Sequence, residues 1–437
     1  MSEHRSGNPM KLAVTPAFGW FWIARTASLM GDYAFRVGFI TYLIRTSGSP
    51  NVLAEATAVL LVPAIAFYLF GGALGDRASS RRAVLVGSDL LRVAGTGAAA
   101  LAVAVTDNPL PVVGFALLIG VGAGFFEPIA AGFLTQIVDQ SQLIQANSAL
   151  SVSRQVSLIV GPILGGALVG WTGPAAAFWF DAASFAVSAL ALLAIPATAI
   201  VPHRTAGDDQ AMSLGRLRVE IGQGVRFIAG ARWLLITLAC GTVANAVFAG
   251  GLDVLVPLVF SPHRTGSALR LGLFYALEGA GALLGALILT RVRVRRVAGS
   301  LFGMLALMAV SLALVGVFGN SVGSLLLALS YGVGMHYFNS LYPALVQTTV
   351  PAQLMSRVSS LEFLAFDGLT PVGILAMGPL AIGLGAGPAL VLTGLAVTVL
   401  CLATMLTPTI RPLRFPEHDQ PAPSGQNPIE FSEPFGG

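Results

Sequence analysis

Ionisable side chains set inside apolar runs are the first residues in this sequence whose types and spacing could do chemistry. Asp32 and Arg36 stand four apart in the run 17–44. Glu127, Glu278 and His336 fall near the middle of three further runs, and Asp367 lies less centrally in another. A charge at mid-bilayer costs about 2.5 kcal/mol or more, so each such residue needs a partner or a task. A carboxylate withdrawn from water can load and release a proton, or hold a passing cation. Asp32 is the leading candidate; the alternative is an i,i+4 pair with Arg36 that only neutralises itself. Glu127 precedes Pro128, where a kink could open a cavity wall. Glu278 sits among small residues and could bind a cationic substrate or hydrogen-bond across helices. His336 titrates near neutrality, but Tyr337 and Asn339 beside it suit a satisfied hydrogen-bonder. Asp89, Arg92 and Asp181 lie nearer the run ends and read as structural. Glu362 and Asp367 are five apart, so they should point to different faces, with at most one lining a cavity.

Other chemistries lack their residues. The chain has one lysine, Lys11, in no Gly-x-x-x-x-Gly-Lys-Ser/Thr loop, so no nucleotide-binding loop of that type exists. It contains no His-Glu-x-x-His, and His336 is the one histidine inside an apolar run. Cys240 and Cys401 stand alone in apolar stretches, without metal-ligand spacing. A membrane enzyme is therefore disfavoured, and no cofactor or metal is expected.

The elements that must hold these residues are membrane helices. Of 437 residues, 55% are hydrophobic and only 10% charged, with mean hydropathy +0.80. A soluble domain needs roughly a quarter of its residues charged. Runs long enough to cross about 30 Å of hydrocarbon fall at 17–44, 52–75, 83–106, 110–138, 147–170, 174–198, 232–260, 267–290, 297–318, 321–349, 357–384 and 388–408. Turn signals punctuate them, among them Gly48-Ser49-Pro50, Asp107-Asn108-Pro109, Thr172-Gly173-Pro174 and Gly385-Ala386-Gly387-Pro388. The polar start lacks an apolar signal-peptide core, so the first helix is expected to stay.

Basic residues set the expected orientation. With both termini cytoplasmic, seventeen Lys and Arg fall on the cytoplasmic side against three, Arg45, Arg264 and Arg270, on the other. The basic surplus thus orients helices in a cell membrane and meets lipid; no nucleic-acid partner is expected. Within the longest polar interruption, Leu214, Leu217, Ile221, Val225 and Ile228 share one helical face, the mark of an amphipathic surface helix. The expected organisation is a cytoplasmic N-terminus (1–16), a six-helix half (17–198), a central loop with that helix (199–231), a second six-helix half (232–410) and a disordered cytoplasmic tail (411–437). Sparse internal matches, such as Gln136 with Gln347 and Ser148 with Ser359, suit two repeats that rock against each other.

Two motifs carry a family resemblance. The loop after the second run reads Gly72-Ala73-Leu74-Gly75-Asp76-Arg77-Ala78-Ser79-Ser80-Arg81-Arg82. Glycine lets helices touch, Asp can face a helix N-terminus, and arginines can anchor the loop to lipid phosphate. The run 147–170 holds Gly161-Pro162-Ile163-Leu164-Gly165-Gly166, where proline bends the helix and glycines allow close approach, with Gly279, Gly281 and Gly285 as expected partners. The first resembles the cytoplasmic signature of the major facilitator superfamily, with Ser79 and Ser80 departing from its pattern. The second resembles the antiporter motif of the superfamily's drug exporters. The resemblance covers about 17–408 and implies an all-α, twelve-helix fold in two six-helix halves. By resemblance, Asp76 latches the first half to the start of the eleventh span near Arg357. It also implies a monomeric, proton-coupled exporter of an amphiphilic or hydrophobic small molecule such as a drug or siderophore. An importer or lysolipid flippase on the same scaffold is the alternative.

Overall fold

In a computed structural model, the chain is helical throughout, with no strand among the described residues. The described backbone comprises residues 16–77, 80–201, 214–260, 267–291, 294 and 296–413; the side chains of 69–77, 214–221, 290, 352, 353 and 356 lie outside the description. The expected terminal segments therefore lie almost wholly outside it, as do the side chains of Gly72, Asp76 and Arg77.

The first six long helices are α1 (Pro16–Ser47), α2 (Pro50–Arg77), α3 (Arg81–Val105), α4 (Pro109–Ile137), α5 (Leu143–Thr172) and α6 (Pro174–Ala194). A helix α7 (Leu214–Gly230) follows, then α8 (Arg232–Gly250), which passes through a π-helical turn at Gly251–Leu255 into α9 (Val256–Phe260). The rest are α10 (Ser267–Arg291), α11 (Val297–Phe318), α12 (Val322–Thr349), α13 (Ala352–Phe366), α14 (Thr370–Leu384) and α15 (Ala386–Leu406).

Ten described segments are long and apolar enough to cross a membrane, with α8–α9 and α13–α14 each making one crossing. The two that fall short of that apolarity are α1 and α12. Both are long enough, at 32 and 28 residues. Their polarity is informative: α1 carries Arg25, Asp32 and Arg36, and α12 carries His336, Asn339 and three tyrosines. With them the twelve expected crossings are present.

The two ends of the bundle differ. One end holds short turns in which Gly48, Gly173, Gly319 and Gly385 adopt φ of 60°, 93°, 59° and 85°, a region where a side chain would be strained. At this end Asn108 caps α4, accepting from the Leu110 amide at 3.0 Å, and Pro109 and Pro174 open their helices without a wasted donor. The other end carries the arginine-rich connections and α7. We call these the glycine-turn end and the basic end.

Packing relies on backbone contact at small residues, since lipid gives no hydrophobic drive between helices. A Cβ on Gly394 would sit 2.6 Å from the Ala309 carbonyl, so α15 touches α11 at main-chain distance. Gly281 and Gly285 meet Leu329 and Val333 of α12, not α5 as expected; of the three expected partners, Gly279 alone faces α5, at Leu158 and Ile159. The helices before and after α7 meet most extensively where α5 lies along α10 and α2 along α14. Cys240 and Cys401 are both buried, settling them as core residues.

Of the five residues expected on the apolar face of α7, the side chains of Leu214, Leu217 and Ile221 lie outside the described ones. Ile228 is buried and Gly224 rests on Arg357 and Leu361 of α13, but Val225 is exposed. A closely approaching glycine sets the buried face here, a contact that apolar periodicity does not reveal.

Candidate functional site

One face of α1 organises the charges. Arg25, Asp32 and Arg36 recur at i, i+7 and i+11, so they form a stripe. Each meets a different helix.

Arg25, at the basic-end side, makes a two-pronged pair with Glu127 of α4, Nη1–Oε1 and Nη2–Oε2 both 3.0 Å. Its guanidinium also lies 5.3 Å from the ring centroid of Phe126. Glu127 faces a cavity of about 270 Å³ with Leu29, Asn147 and Arg154.

Asp32 lines a second cavity, about 290 Å³, walled by Phe35, Phe39, Leu60, Ile119 and other residues of α1, α2 and α4, with Arg36 and Asp253 also on its wall. Its nearest cation is Arg92 of α3, at 3.9 Å, too long for a hydrogen bond. Arg92 is committed elsewhere. It binds Asp89 one turn back, lies 4.4 Å and 4.1 Å over the rings of Phe126 and Phe185, and Asp89 also accepts from Ser188 at 2.6 Å. The Asp32 side chain stays 40% exposed while that of Arg92 is 3% exposed. Asp181 of α6 neighbours Asp32, and Gly31 leaves room for it and Ser184. Of the residues read as structural, Asp89 and Arg92 therefore form the buried support beneath Asp32.

Arg36 does not pair with Asp32. It donates to Asp253 in the π-helical turn, through Nε at 3.0 Å and through Nη2, and its guanidinium lies 4.3 Å over the Tyr275 ring. The Tyr275 hydroxyl donates to the Leu252 carbonyl at 2.8 Å, taking up an acceptor within the irregular turn. Glu278 of α10 is buried near this pair, and its Oε2 has no hydrogen-bond partner among the described residues.

A third cavity, about 390 Å³, lies among α8, α11, α12 and α13. Glu362 and Asp367 both line it, against the expectation that at most one would. Residues five apart lie about 140° apart on a helical wheel, and Asp367, whose amide still bonds the Phe363 carbonyl at 2.8 Å, reaches the same cavity from the end of α13; the helix breaks just beyond it, before α14 begins at Thr370. Asn245 caps the break, donating to the Phe366 carbonyl at 2.8 Å and Thr370 Oγ1 at 3.0 Å. His336 lines none of these three cavities; its Cβ faces Gly285 of α10.

The basic-end residues make protein contacts. Arg81 donates to the Gly132 carbonyl at 3.0 Å, and Arg82 to the Ile195 carbonyl at 2.7 Å, which fastens the start of α3 to α4 and the end of α6. Arg357 donates to Gln223 of α7. In the glycine–proline motif, Gly161 and Gly165 press on Tyr33 and Ala34 of α1, while Gly166 meets Ala268 and Leu269 of α10, and the Pro162 carbonyl meets Gly272. The motif thus wedges α5 between α1 and α10.

Residues 21–373 match the sequence profile of the Major Facilitator Superfamily. The chain belongs to that superfamily. It is a multi-pass membrane protein and a secondary transporter of a small molecule, not an enzyme. Among relatives, macrolide efflux protein A of Streptococcus pyogenes is 23% identical over 410 residues, covering 91% of this chain and 96% of the relative. The multidrug efflux pump Tap of Mycobacterium tuberculosis is 24% identical over 423 residues, covering 94% and 98%. A POT family transporter solved in complex with 5-aminolevulinic acid superposes with a TM-score of 0.68 at 13% identity, covering 88% of this chain and 94% of that one. The last likeness establishes the superfamily fold alone.

Sequence reasoning missed two partners of α1. Arg25 was passed over although it belongs to the stripe with Asp32 and Arg36. The pairing of Arg36 with Asp253 left no local signal, because 217 positions separate them.

Proposed function

We propose that this chain exports an amphiphilic or hydrophobic small molecule in exchange for protons, acting as a monomer in the cell membrane with both termini cytoplasmic. Two six-helix halves, 17–198 and 232–410, rock about the fixed site, as in other repeat-built transporters. The single observation that carries the proton role is the setting of Asp32. It faces an apolar-walled cavity with its nearest cation 3.9 Å away, while Glu127 and Asp253 are held in close ion pairs. A weakly engaged carboxylate at a cavity wall is free to exchange its proton for another ligand as access alternates. Export rather than import is supported by the two efflux relatives, at 23% and 24% identity.

In this reading the arrangement at the glycine-turn end, where Gly166 and Gly272 bring α5 onto α10 and Gly378 meets Asn51 of α2, closes the extracellular side. The cavities at Glu127 and Glu362 then lie on the cytoplasmic side of that closure. The Gly72–Arg82 loop and Arg357 serve as the conformational latch.

The test is accumulation of a panel of antibiotics, dyes and siderophores in an efflux-deficient bacterium expressing the wild type or Asp32→Asn, with and without a protonophore. Lower accumulation by the wild type, lost on either treatment, is the expected result. Protonophore-insensitive export would sink the coupling, and higher accumulation by the wild type would reverse the direction.

A further inference from the structure

The cavity among α8, α11, α12 and α13 has chemistry that the proton path through α1 does not use. Its walls are aromatic. Phe338 and Tyr342 stack with centroids 5.5 Å apart at 7°, and Phe366 stands edge-on to Tyr342 at 5.5 Å and 85°. Tyr331 closes another side, edge-on to Phe248 at 5.8 Å. Into this box project Glu362 and Asp367.

Charge compensation separates this cavity from the others. Glu127, Asp253 and Asp89 each bind an arginine, and Asp32 faces one. Glu362 and Asp367 have none among the described residues. The polar partner of Glu362 is the Tyr342 hydroxyl, which donates to its Oε1 at 2.5 Å. Asn245 does not neutralise Asp367, since its amide hydrogens cap the helix break.

A buried Glu362 and a more exposed Asp367 on the same cavity wall, with no cation beside them among the described residues, leave a deficit that a mobile cation can fill. A proton alone would meet it, but would gain nothing from the aromatic walls. An organic cation gains from both, because ring faces attract positive charge and the rings bury its apolar body. The cavity, about 390 Å³, falls in the range that holds small-molecule ligands.

We infer that the cavity bounded by Tyr331, Phe338, Tyr342 and Phe366 binds a lipophilic organic cation, with Glu362 and Asp367 supplying its counter-charge. The inference deepens the export reading and rests on it for the claim that this ligand is cargo. Binding itself is independent of transport direction and coupling.

The test is equilibrium binding to the purified full chain in nanodiscs. The probes are tetraphenylphosphonium and tetraphenylborate, which share a shape and carry opposite charges. The wild type should bind the cation at least about tenfold more tightly than the anion, since each tenfold reflects about 1.4 kcal/mol. Asp367→Asn and Glu362→Gln should each weaken cation binding, and the double variant should abolish the preference. Tyr342→Phe keeps the ring and should lose less than Glu362→Gln. Glu55→Gln, an exposed carboxylate on α2, should match the wild type. Monodisperse elution and unchanged helix content confirm that each variant is folded. Equal binding of both probes by the wild type, or cation binding by the folded double variant within about twofold of wild type, overturns the inference. Failure of binding with intact efflux in the accumulation assay would reject this site and leave the export reading standing.

Discussion

Arg36 of α1 and Asp253 of the π-helical turn form an ion pair that joins the helices before α7 to those after it. The pair sits where an extra residue per turn re-aims the Asp253 side chain. Its side chains are 30% and 22% exposed, so solvent screens part of the attraction. Reversing either charge alone, Arg36→Asp or Asp253→Arg, should destabilise the protein by about 1–3 kcal/mol. Reversing both should recover much of that loss. Thermal unfolding in detergent measures the cycle, and strictly additive losses would show that the two residues act independently.

The glycine–proline motif makes a second prediction through its geometry. A methyl group on Gly165 would lie 2.8 Å from the Ala34 Cα, so α1 and α5 would have to separate. Gly165→Ala should cost about 1–3 kcal/mol and reduce transport. Gly170, on the same helix, has nothing within 4 Å, so Gly170→Ala should be neutral or gain about 0.5–1 kcal/mol. If both variants melt together, close approach is not what Gly165 provides.

Much of the fold was legible in the sequence because membrane helices announce themselves by length and apolarity. Eleven of the twelve expected spans coincide with helices to within a few residues at their starts. The twelfth begins inside α13, where α13 and α14 form one broken crossing. The signal for that break is Pro371 in the first turn of α14, which cannot donate to the Asp367 carbonyl, and the span expectation gave it no weight. The two acids share one cavity because residues about 140° apart on a wheel can still flank one space, which the expectation of different faces did not allow for. At the site, Asp32 and Glu127 were found because charge in an apolar run is conspicuous. Their pairings with Arg92 and Arg25 were not, because they are tertiary contacts. Arg81 and Arg82 were read as lipid anchors by composition, yet backbone carbonyls of α4 and the α6 end receive them.

Asn245 offers a prediction about the broken crossing. Its side chain serves the Phe366 carbonyl and Thr370 Oγ1 in place of the missing helical bonds. Asn245→Ala should remove one of two donors to that carbonyl, the Thr370 hydroxyl at 2.9 Å remaining, at about 0.5–1.5 kcal/mol. Asn245→Ser should recover little, because a shorter side chain cannot span both acceptors. Hydrogen exchange at Thr370–Gly373 reads the effect directly. Faster exchange there, with the rest of α14 unchanged, is expected; uniform exchange along α13 and α14 would show that the break needs no cap.

The Arg25–Glu127 pair depends on shape as well as charge. Two parallel 3.0 Å bonds require a planar fork, and the same plane faces the Phe126 ring. Lysine keeps the charge but offers a single compact ammonium. Arg25→Lys should therefore lose about 1–2 kcal/mol despite conserving charge, through one lost bond and the weakened ring contact. Glu127→Gln should lose less, because the Glu127 side chain is 41% exposed to the cavity and its amide can still accept one bond. Thermal melting of both variants decides the matter. Were Arg25→Lys to melt with the wild type while Glu127→Gln did not, the pair would be a simple charge contact, and the fork geometry would have no role in holding α1 to α4.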